Sequence, residues 1–236
     1  RIHSRIRGTE PLSGTTYDPN DPAGQLWIHL TQWHSVLYVY ERFGPGRLSF
    51  EEEEQYWAEC RTAATFQTID PDSVPRNRAE MRAYYARVRP DLAASTAAIE
   101  HVRIILETAN PFVTAAPGRL RFLRPILRPL ARRATIATLP AWMRSQVGIR
   151  QSRLTDAVVT ALIRPMFRMI ARRPRVMADL LRAVSPLAHP VIAPVILGIA
   201  PELPETVPVA EAWRRAARPT PREQHLASRD DVVAAS

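Results

Sequence analysis

Two segments near the start of the chain carry side chains that could do chemistry. His3 stands four residues before Arg7, and His29 lies within the run Trp27-Ile28-His29-Leu30-Thr31. On a helix, side chains four residues apart share one face, so the His3 imidazole could bind a metal or cofactor while the Arg7 guanidinium neutralises an anionic group beside it. The same spacing is also typical of a surface histidine on a basic helix, and spacing alone does not separate the two.

His29 places an imidazole in an otherwise apolar and aromatic segment. One interpretation is a catalytic pocket residue that binds a cofactor or donates a proton. The other is a core histidine whose ring is satisfied by a backbone carbonyl. His34 follows five residues later, about 140° around a helix, so the two histidines do not form a helical metal pair.

Several common reaction types have no support in this sequence. There is no Gly-x-Ser-x-Gly elbow, no P-loop and no glycine-rich loop after a strand, and glycine occurs only eight times. The single cysteine, Cys60, leaves no internal disulfide and no cysteine-based metal site. All 32 basic residues are arginine, so no lysine can form a Schiff base. These absences argue against an ordinary hydrolase, kinase or dehydrogenase.

The hydrophobic spacing predicts an all-α chain. Asp21-Pro22 is a strong helix start, and Ser49 with Glu52 forms a capping box. A first helix is expected to end near Gly8, followed by a polar loop. The other predicted helices are Pro22 to about Phe43, Ser49 to about Phe66, 77–89, 91–109, 119–133, 137–147, 151–171 and 174–184, with prolines limiting or kinking the last four.

This pattern predicts a single helical domain over residues 1–184. Residues 185–236 are expected to form an apolar segment broken by prolines and then a mostly disordered tail. Because the first residue is Arg and residues 1–7 look helical, we expect that the chain begins inside a larger protein. No stretch of eighteen uncharged apolar residues occurs, and the lone cysteine fits a reducing compartment, so the expected location is the cytoplasm.

The segment 119–184 differs from the rest of the chain in its charge. It contains fifteen arginines and only two acids, Asp156 and Asp179, interleaved with large aliphatic residues. Exclusive use of arginine is typical of a high-GC genome, and the pattern fits amphipathic helices with a solvated arginine face. It also fits peripheral membrane contact through residues 119–182, whereas nucleic-acid binding would favour stacking aromatics and is not expected.

A series of short motifs resembles the family of rubber oxygenases, or latex-clearing proteins, and mpaB-type oxygenases. The resemblance covers roughly residues 1 to 170. Its motifs follow in order as His3-x-x-x-Arg7-Gly8, Tyr17-Asp18-Pro19, Asp21-Pro22, Trp27-Ile28-His29-x-Thr31, Tyr40-Glu41-Arg42-Phe43, Leu48-Ser49, Tyr56-Trp57, Pro75 with Glu80 and Tyr84, and Leu139-Pro140-Ala141-Trp142-Met143-Arg144.

The resemblance implies an all-α, globin-like core with additional C-terminal helices that binds haem b. Characterised members use O2 to cleave carbon–carbon double bonds in isoprenoid chains. The family's proximal iron ligand maps onto His3, and Arg7 takes the accompanying position as a cofactor-binding residue. His29 matches a histidine of the bacterial, non-latex branch, which implies a pocket residue rather than the iron ligand.

Two departures from the family pattern concern the distal face of the haem. The Arg-x-x-x-Thr motif that supplies distal residues would lie before residue 1, and the chain has no lysine to place there. The expected function is a haem-dependent oxygenase that uses O2 on a hydrophobic, isoprenoid or lipid-like substrate. The alternatives are a non-catalytic haem-binding protein and a basic helical module that binds membrane surfaces.

Overall fold

The computed structural model describes residues 6–108, 122, 124–200 and 207–234. Helices make up nearly all of its regular structure, and the described strands form only a two-stranded antiparallel ribbon. The predicted all-α class is therefore confirmed. The globin-like arrangement of the helices stays an expectation from the resemblance.

Two short strands precede the first described helix, and the remaining regular elements are helical. The strands are β1 (Gly8–Thr9) and β2 (Thr16–Tyr17). The helices are α1 (Pro22–Phe43), α2 (Phe50–Ala64), α3 (Arg78–Val88), α4 (Thr96–Thr108), α5 (Arg124–Thr138), α6 (Ala141–Gln146), α7 (Arg153–Ala171), α8 (Pro174–Val184), α9 (His189–Leu197), α10 (Val209–Arg215) and α11 (Pro221–Ala234).

Two predicted helix starts are confirmed in atomic detail. Before α1, an Asp21 carboxylate oxygen accepts the backbone N–H of Gly24 at 2.8 Å, and Pro22 is the first helical residue. Before α2, the Ser49 hydroxyl accepts the N–H of Glu52 at 3.2 Å, and the Glu52 carboxylate accepts the N–H of Ser49 at 2.7 Å. Side chains thus satisfy backbone donors that have no partner within the helix.

The prediction of a helix that ends near Gly8 is wrong for the residues of this segment that the structure describes. Arg7 is not helical, and Gly8–Thr9 pair with Thr16–Tyr17 in an antiparallel ribbon. The Glu10 carboxylate accepts the N–H groups of Leu12 and Ser13 at 2.9 and 2.6 Å and so stabilises the turn between the strands. Local turn chemistry prevails in this segment over a weak helical pattern.

The chain divides into two compact units, each with its own core. Unit 1 comprises residues Arg1–Leu37, Leu48–Leu92 and Glu205–Ser236. Its buried core joins α1, α2 and α3 with the segment between α2 and α3. The core residues are Leu26, Leu30, Leu37, Trp57, Cys60, Ala64, Ile69, Val74, Met81 and Tyr84.

Unit 2 comprises Tyr38–Arg47 and Ala93–Pro204, and its cluster of buried apolar residues is smaller. Phe43, Val159 and Ile163 form this cluster, with Leu130, Ala134 and Phe167 packed against it. Helix α5 packs on α7, and α9 packs on α8. Pro129 and Pro165 lie inside α5 and α7, so these prolines do not end their helices.

The C-terminal segment contains more regular structure than the sequence predicts. Helices α9, α10 and α11 lie where a proline-broken segment and a disordered tail are expected. In unit 1, a side-chain nitrogen of Arg222 lies 2.7 Å from an Asp70 carboxylate oxygen, and the rings of Phe66 and Trp213 lie 5.8 Å apart. The domain boundary at residue 184 stays a prediction. Among the described helices, none combines the length and the apolar character needed to cross a bilayer.

Candidate functional site

His29 lies within the core of unit 1. It is carried by α1, next to the core residue Leu30, and only 2% of its surface is exposed. One ring nitrogen, Nε2, lies 2.9 Å from the backbone carbonyl oxygen of Cys60 on α2. The other, Nδ1, lies 2.9 Å from the side-chain amide nitrogen of Gln67, just after α2. Both ring nitrogens therefore have a partner within unit 1.

These two partners define the protonation state of His29. An amide nitrogen donates and a carbonyl oxygen accepts, so Nδ1 accepts from Gln67 while the protonated Nε2 donates to Cys60. Burial lowers the pKa of the imidazole, and the hydrogen bond to the Cys60 carbonyl opposes that shift only in part. His29 is thus a neutral imidazole near pH 7, bonded in the way expected of a core histidine.

Aromatic and sulfur groups near His29 are also held in their neutral forms. The Trp33 ring lies 6.0 Å from the His29 ring and 5.4 Å from the Tyr56 ring, and the Tyr56 hydroxyl donates to the Trp33 carbonyl at 2.5 Å. Burial raises the pKa of Tyr56 above its ordinary value and that of the Cys60 thiol to about 12. Cys60 is therefore a protonated thiol, which is neither a strong nucleophile nor a metal ligand.

An ion pair joins α2 and α3 beside this core. Arg78 Nε lies 2.8 Å from each carboxylate oxygen of Glu53, and one of those oxygens accepts the indole N–H of Trp57 at 3.3 Å. Both charged side chains are largely shielded from water. The pair thus fixes the orientation of Trp57, whose ring is buried in the core of unit 1.

The residues predicted at the N-terminus lie in a different environment. His3, the predicted axial ligand, lies outside the described residues. The Arg7 side chain is 55% exposed, and its Nη1 contacts the carbonyl of Ile6 at 2.8 Å and a carboxylate oxygen of Asp18 at 3.4 Å. No hydrogen bond among the described residues joins Arg7 to His29, and each has other partners.

A second buried polar cluster lies in unit 2. The guanidinium of Arg144 on α6 binds both carboxylate oxygens of Asp156 on α7, at 3.2 and 2.7 Å. Gln151 donates to the same carboxylate at 2.8 Å and to the carbonyl of Arg133 at 2.9 Å. Arg144 also donates to the Leu139 carbonyl at 2.9 Å. This bidentate pair links the two helices through groups that are almost fully shielded.

The electrostatics of Asp156 show why this pair is stable. Burial alone would raise the pKa of the carboxyl, but the hydrogen bonds from Arg144 and Gln151, together with the positive charges of Arg144 and Arg42, outweigh burial and lower it. The sequence contained a signal for this pair, because Asp156 is one of two acids among fifteen arginines. Gln67 carried no comparable signal, since it lies 38 residues from the histidine that it contacts.

Neither His29 nor Cys60 is suited to ligate a haem iron. Both nitrogens of His29 are engaged, the Cys60 thiol stays protonated, and no cluster of three or more His, Cys, Asp or Glu suited to a metal occurs in the part of the chain that the structure describes. The exposed guanidinium of Arg7 does fit a partner for a haem propionate. The axial ligand that the family resemblance implies, His3, lies outside the described residues.

Comparison with known proteins bears on both units. Residues 1–172 match the family described as the catalytic domain of ER-bound oxygenase mpaB/B′ and rubber oxygenase. No curated protein and no solved structure matches the chain. The matched range includes His3, Arg7, His29 and the Arg144–Asp156 pair, and it agrees with the resemblance seen in the sequence.

Proposed function

The chain belongs to the mpaB/B′ and rubber oxygenase catalytic-domain family, and from that membership we propose that it is a haem-dependent oxygenase that uses O2 on a hydrophobic substrate. The family is one of oxygenases, which makes the enzyme class an oxidoreductase. The observation that carries the proposal is the match over residues 1–172, which contains the His3-x-x-x-Arg7 motif. Haem b and the substrate class belong to the proposal.

In this proposal His3 is the axial ligand and Arg7 pairs with a propionate. Haem b, when bound, supplies an iron that can bind and activate O2. Arg7 suits its role because its guanidinium is half exposed and its carboxylate partner, Asp18, lies at a long 3.4 Å. A propionate could therefore compete for the cation without first breaking a short ion pair.

His29 enters the proposal as a residue that shapes the pocket wall. Its ring is neutral, buried and fixed by Cys60 and Gln67, so it is an oriented, uncharged group next to Trp33. A proton transfer by His29 would require one of these two hydrogen bonds to open. We therefore place its main contribution in holding the geometry of α1 against α2, with any proton donation to a bound ligand secondary.

A hydrophobic substrate, isoprenoid or lipid-like, is the class that the family resemblance implies. It is also compatible with the chain's own chemistry. The core of unit 1 is packed from aliphatic and aromatic side chains, and its buried polar groups are neutral or paired. Such surroundings favour an alkene chain over a charged substrate, because an apolar group loses no hydrogen bonds on leaving water.

Oxygen uptake tests this function directly. The haem-loaded protein is mixed with a short polyisoprenoid, and O2 consumption is followed alongside the formation of carbonyl products. We expect uptake that requires both haem and alkene, and no uptake with the saturated analogue of the same chain. Stable haem binding without alkene-dependent uptake would overturn the oxygenase and leave a non-catalytic haem-binding protein.

A further inference from the structure

Helix α7 exposes an apolar stripe, part of which (Leu154, Val158 and Leu162) lines a groove of about 470 Å³ together with Leu130 of α5 and the core residue Val159. The inner face of the helix buries Val159 and Ile163. The stripe carries five large apolar side chains spaced three or four residues apart, each between 46% and 74% exposed: Leu154, Val158, Leu162, Met166 and Met169. Residues at this spacing lie along one side of a helix. The stripe lies beside the buried face, so α7 carries a wide apolar surface of which these five side chains stay exposed to water.

Arginines border this stripe. Arg164, Arg168, Arg172 and Arg173 line a groove of about 530 Å³ together with Ala161, Pro165 and Met169, and no acidic residue lines it. Arg164 Nε is buried without a hydrogen-bond partner, while Arg168 Nε donates to the carbonyl of Gly44 at 3.1 Å. A groove of this kind attracts anions, since four like charges lie together along its walls.

A second exposed apolar stripe lies on and beside α9 in the same unit. Leu187, Val191, Val195 and Ile199 recur every four residues, and each is between 58% and 92% exposed. No Asp, Glu or Arg occurs between Arg182 and Glu202. Exposed apolar surface of this extent is uncommon on a protein that contacts only water, and it marks a binding surface.

We propose that unit 2 docks on the surface of a lipid bilayer that contains anionic phospholipids. The arginines of the α7 groove would bind headgroup phosphates, and the stripes on α7 and α9 would enter the boundary between headgroups and acyl chains. This combination of cations beside aliphatic side chains is what an interfacial helix needs. It goes beyond the proposed oxygenase activity and does not depend on it.

Charge argues against the other occupants of this surface. A second copy of the chain, docked through the same surface about a two-fold axis, would bring the arginine groups of the two copies towards each other. A single-stranded nucleic acid would stack its bases on aromatic rings, whereas the two stripes are formed by Leu, Val, Ile and Met. An anionic bilayer complements both the charge and the apolar surface.

Vesicle co-sedimentation tests the proposal with the purified chain. Vesicles of phosphatidylcholine alone are compared with vesicles that also contain phosphatidylglycerol. We expect binding to the anionic vesicles, weaker binding at high salt, and weaker binding to the neutral vesicles. Unchanged sedimentation with anionic vesicles, or equal binding to both compositions, would overturn the proposal.

Matched variants locate the surface. Val158→Glu should lower the partition coefficient by at least about tenfold, because a charge replaces an inserted apolar group. Val36→Glu, at a similarly exposed valine on α1 in unit 1, should leave it unchanged. Arg172→Glu should lower the partition coefficient by on the order of tenfold or more. Its control, Arg82→Glu at an exposed arginine of α3, should leave the partition coefficient unchanged. Equal effects within either pair would contradict docking through unit 2, and circular dichroism checks that each variant folds.

Discussion

The two units differ in where they place their apolar surface. Unit 1 buries a continuous cluster from three helices and encloses a neutral histidine within it. Unit 2 buries a small cluster and leaves apolar stripes on α7 and α9 in water, beside a groove lined by arginines. The difference lies in how the exposed apolar side chains are arranged, since those of unit 2 line up along two helices, and this arrangement is the basis of the docking proposal.

The buried polar groups of the two units follow different physical rules. In unit 1, His29 avoids the cost of a buried charge by staying neutral and using both ring nitrogens. In unit 2, Arg144 and Asp156 remain charged. Their bidentate contact and the hydrogen bond from the Gln151 amide offset the free-energy cost of burying the two charges. Breaking each arrangement in turn tests this contrast.

The largest expected effect is on the charged pair of unit 2. Asp156→Asn should lower the free energy of unfolding by about 3 kcal/mol, because it leaves the Arg144 guanidinium buried without a counter-charge. Urea unfolding followed by circular dichroism measures this loss. Asp179→Asn, at the exposed acid of α8, is the control and should change it by less than about 0.5 kcal/mol. If both variants lose the same amount, the pair does not stabilise unit 2.

A smaller loss is expected from the neutral site of unit 1. His29→Leu should cost about 2 kcal/mol, because the Cys60 carbonyl and the Gln67 amide lose their partner in a buried site. Tryptophan fluorescence is a suitable probe, since four of the five tryptophans, Trp27, Trp33, Trp57 and Trp213, belong to unit 1. His101→Leu, at an exposed histidine of α4, should leave the transition in place. An unchanged unfolding midpoint for His29→Leu would show that the hydrogen bonds of His29 make no net contribution to the free energy of unfolding.

The smallest expected effect is a dependence of stability on pH between about 5.5 and 7.5 that arises from His29 in unit 1. Burial lowers the pKa of His29 in the folded chain, so the unfolded chain takes up the proton at higher pH. The contribution of His29 to the free energy of unfolding is therefore complete above its ordinary pKa of about 6.5. It is lost as the pH falls towards the lower pKa that His29 has in the folded chain. Unfolding at about pH 7.5 and about pH 5.5 should show a steeper loss for the native chain than for His29→Gln. Equal losses would mean that His29 does not titrate with unfolding.

Local interactions account for the parts of the fold that the sequence predicts well. The starts of α1 and α2 depend on side chains within three residues, Asp21 with Gly24 and Ser49 with Glu52, and these patterns are readable along the chain. The segment around Arg7 was predicted wrongly, because its conformation depends on the turn that Glu10 stabilises and on pairing with a second strand beyond that turn.

The candidate site is less predictable from the sequence because its contacts join residues that lie far apart along the chain. The alternative interpretation of His29, a core histidine bonded to a backbone carbonyl, describes its contacts, but the partners lie 31 and 38 residues away and no pattern names them. Asp156 could have been singled out by its rarity, whereas its partner Arg144 could not be told from fourteen other arginines. The roles of His3, Arg7 and His29 towards haem stay predictions.

An absorption spectrum shows whether the protein binds haem and which histidine ligates the iron. The protein is expressed with a haem precursor, and its spectrum is compared with those of His3→Ala and His29→Gln. We expect a Soret band in the native chain, its loss or shift in His3→Ala, and its retention in His29→Gln. A haem-replete native chain without a Soret band would contradict the haem-dependent oxygenase, and loss of the band only in His29→Gln would transfer the iron ligand from His3 to His29.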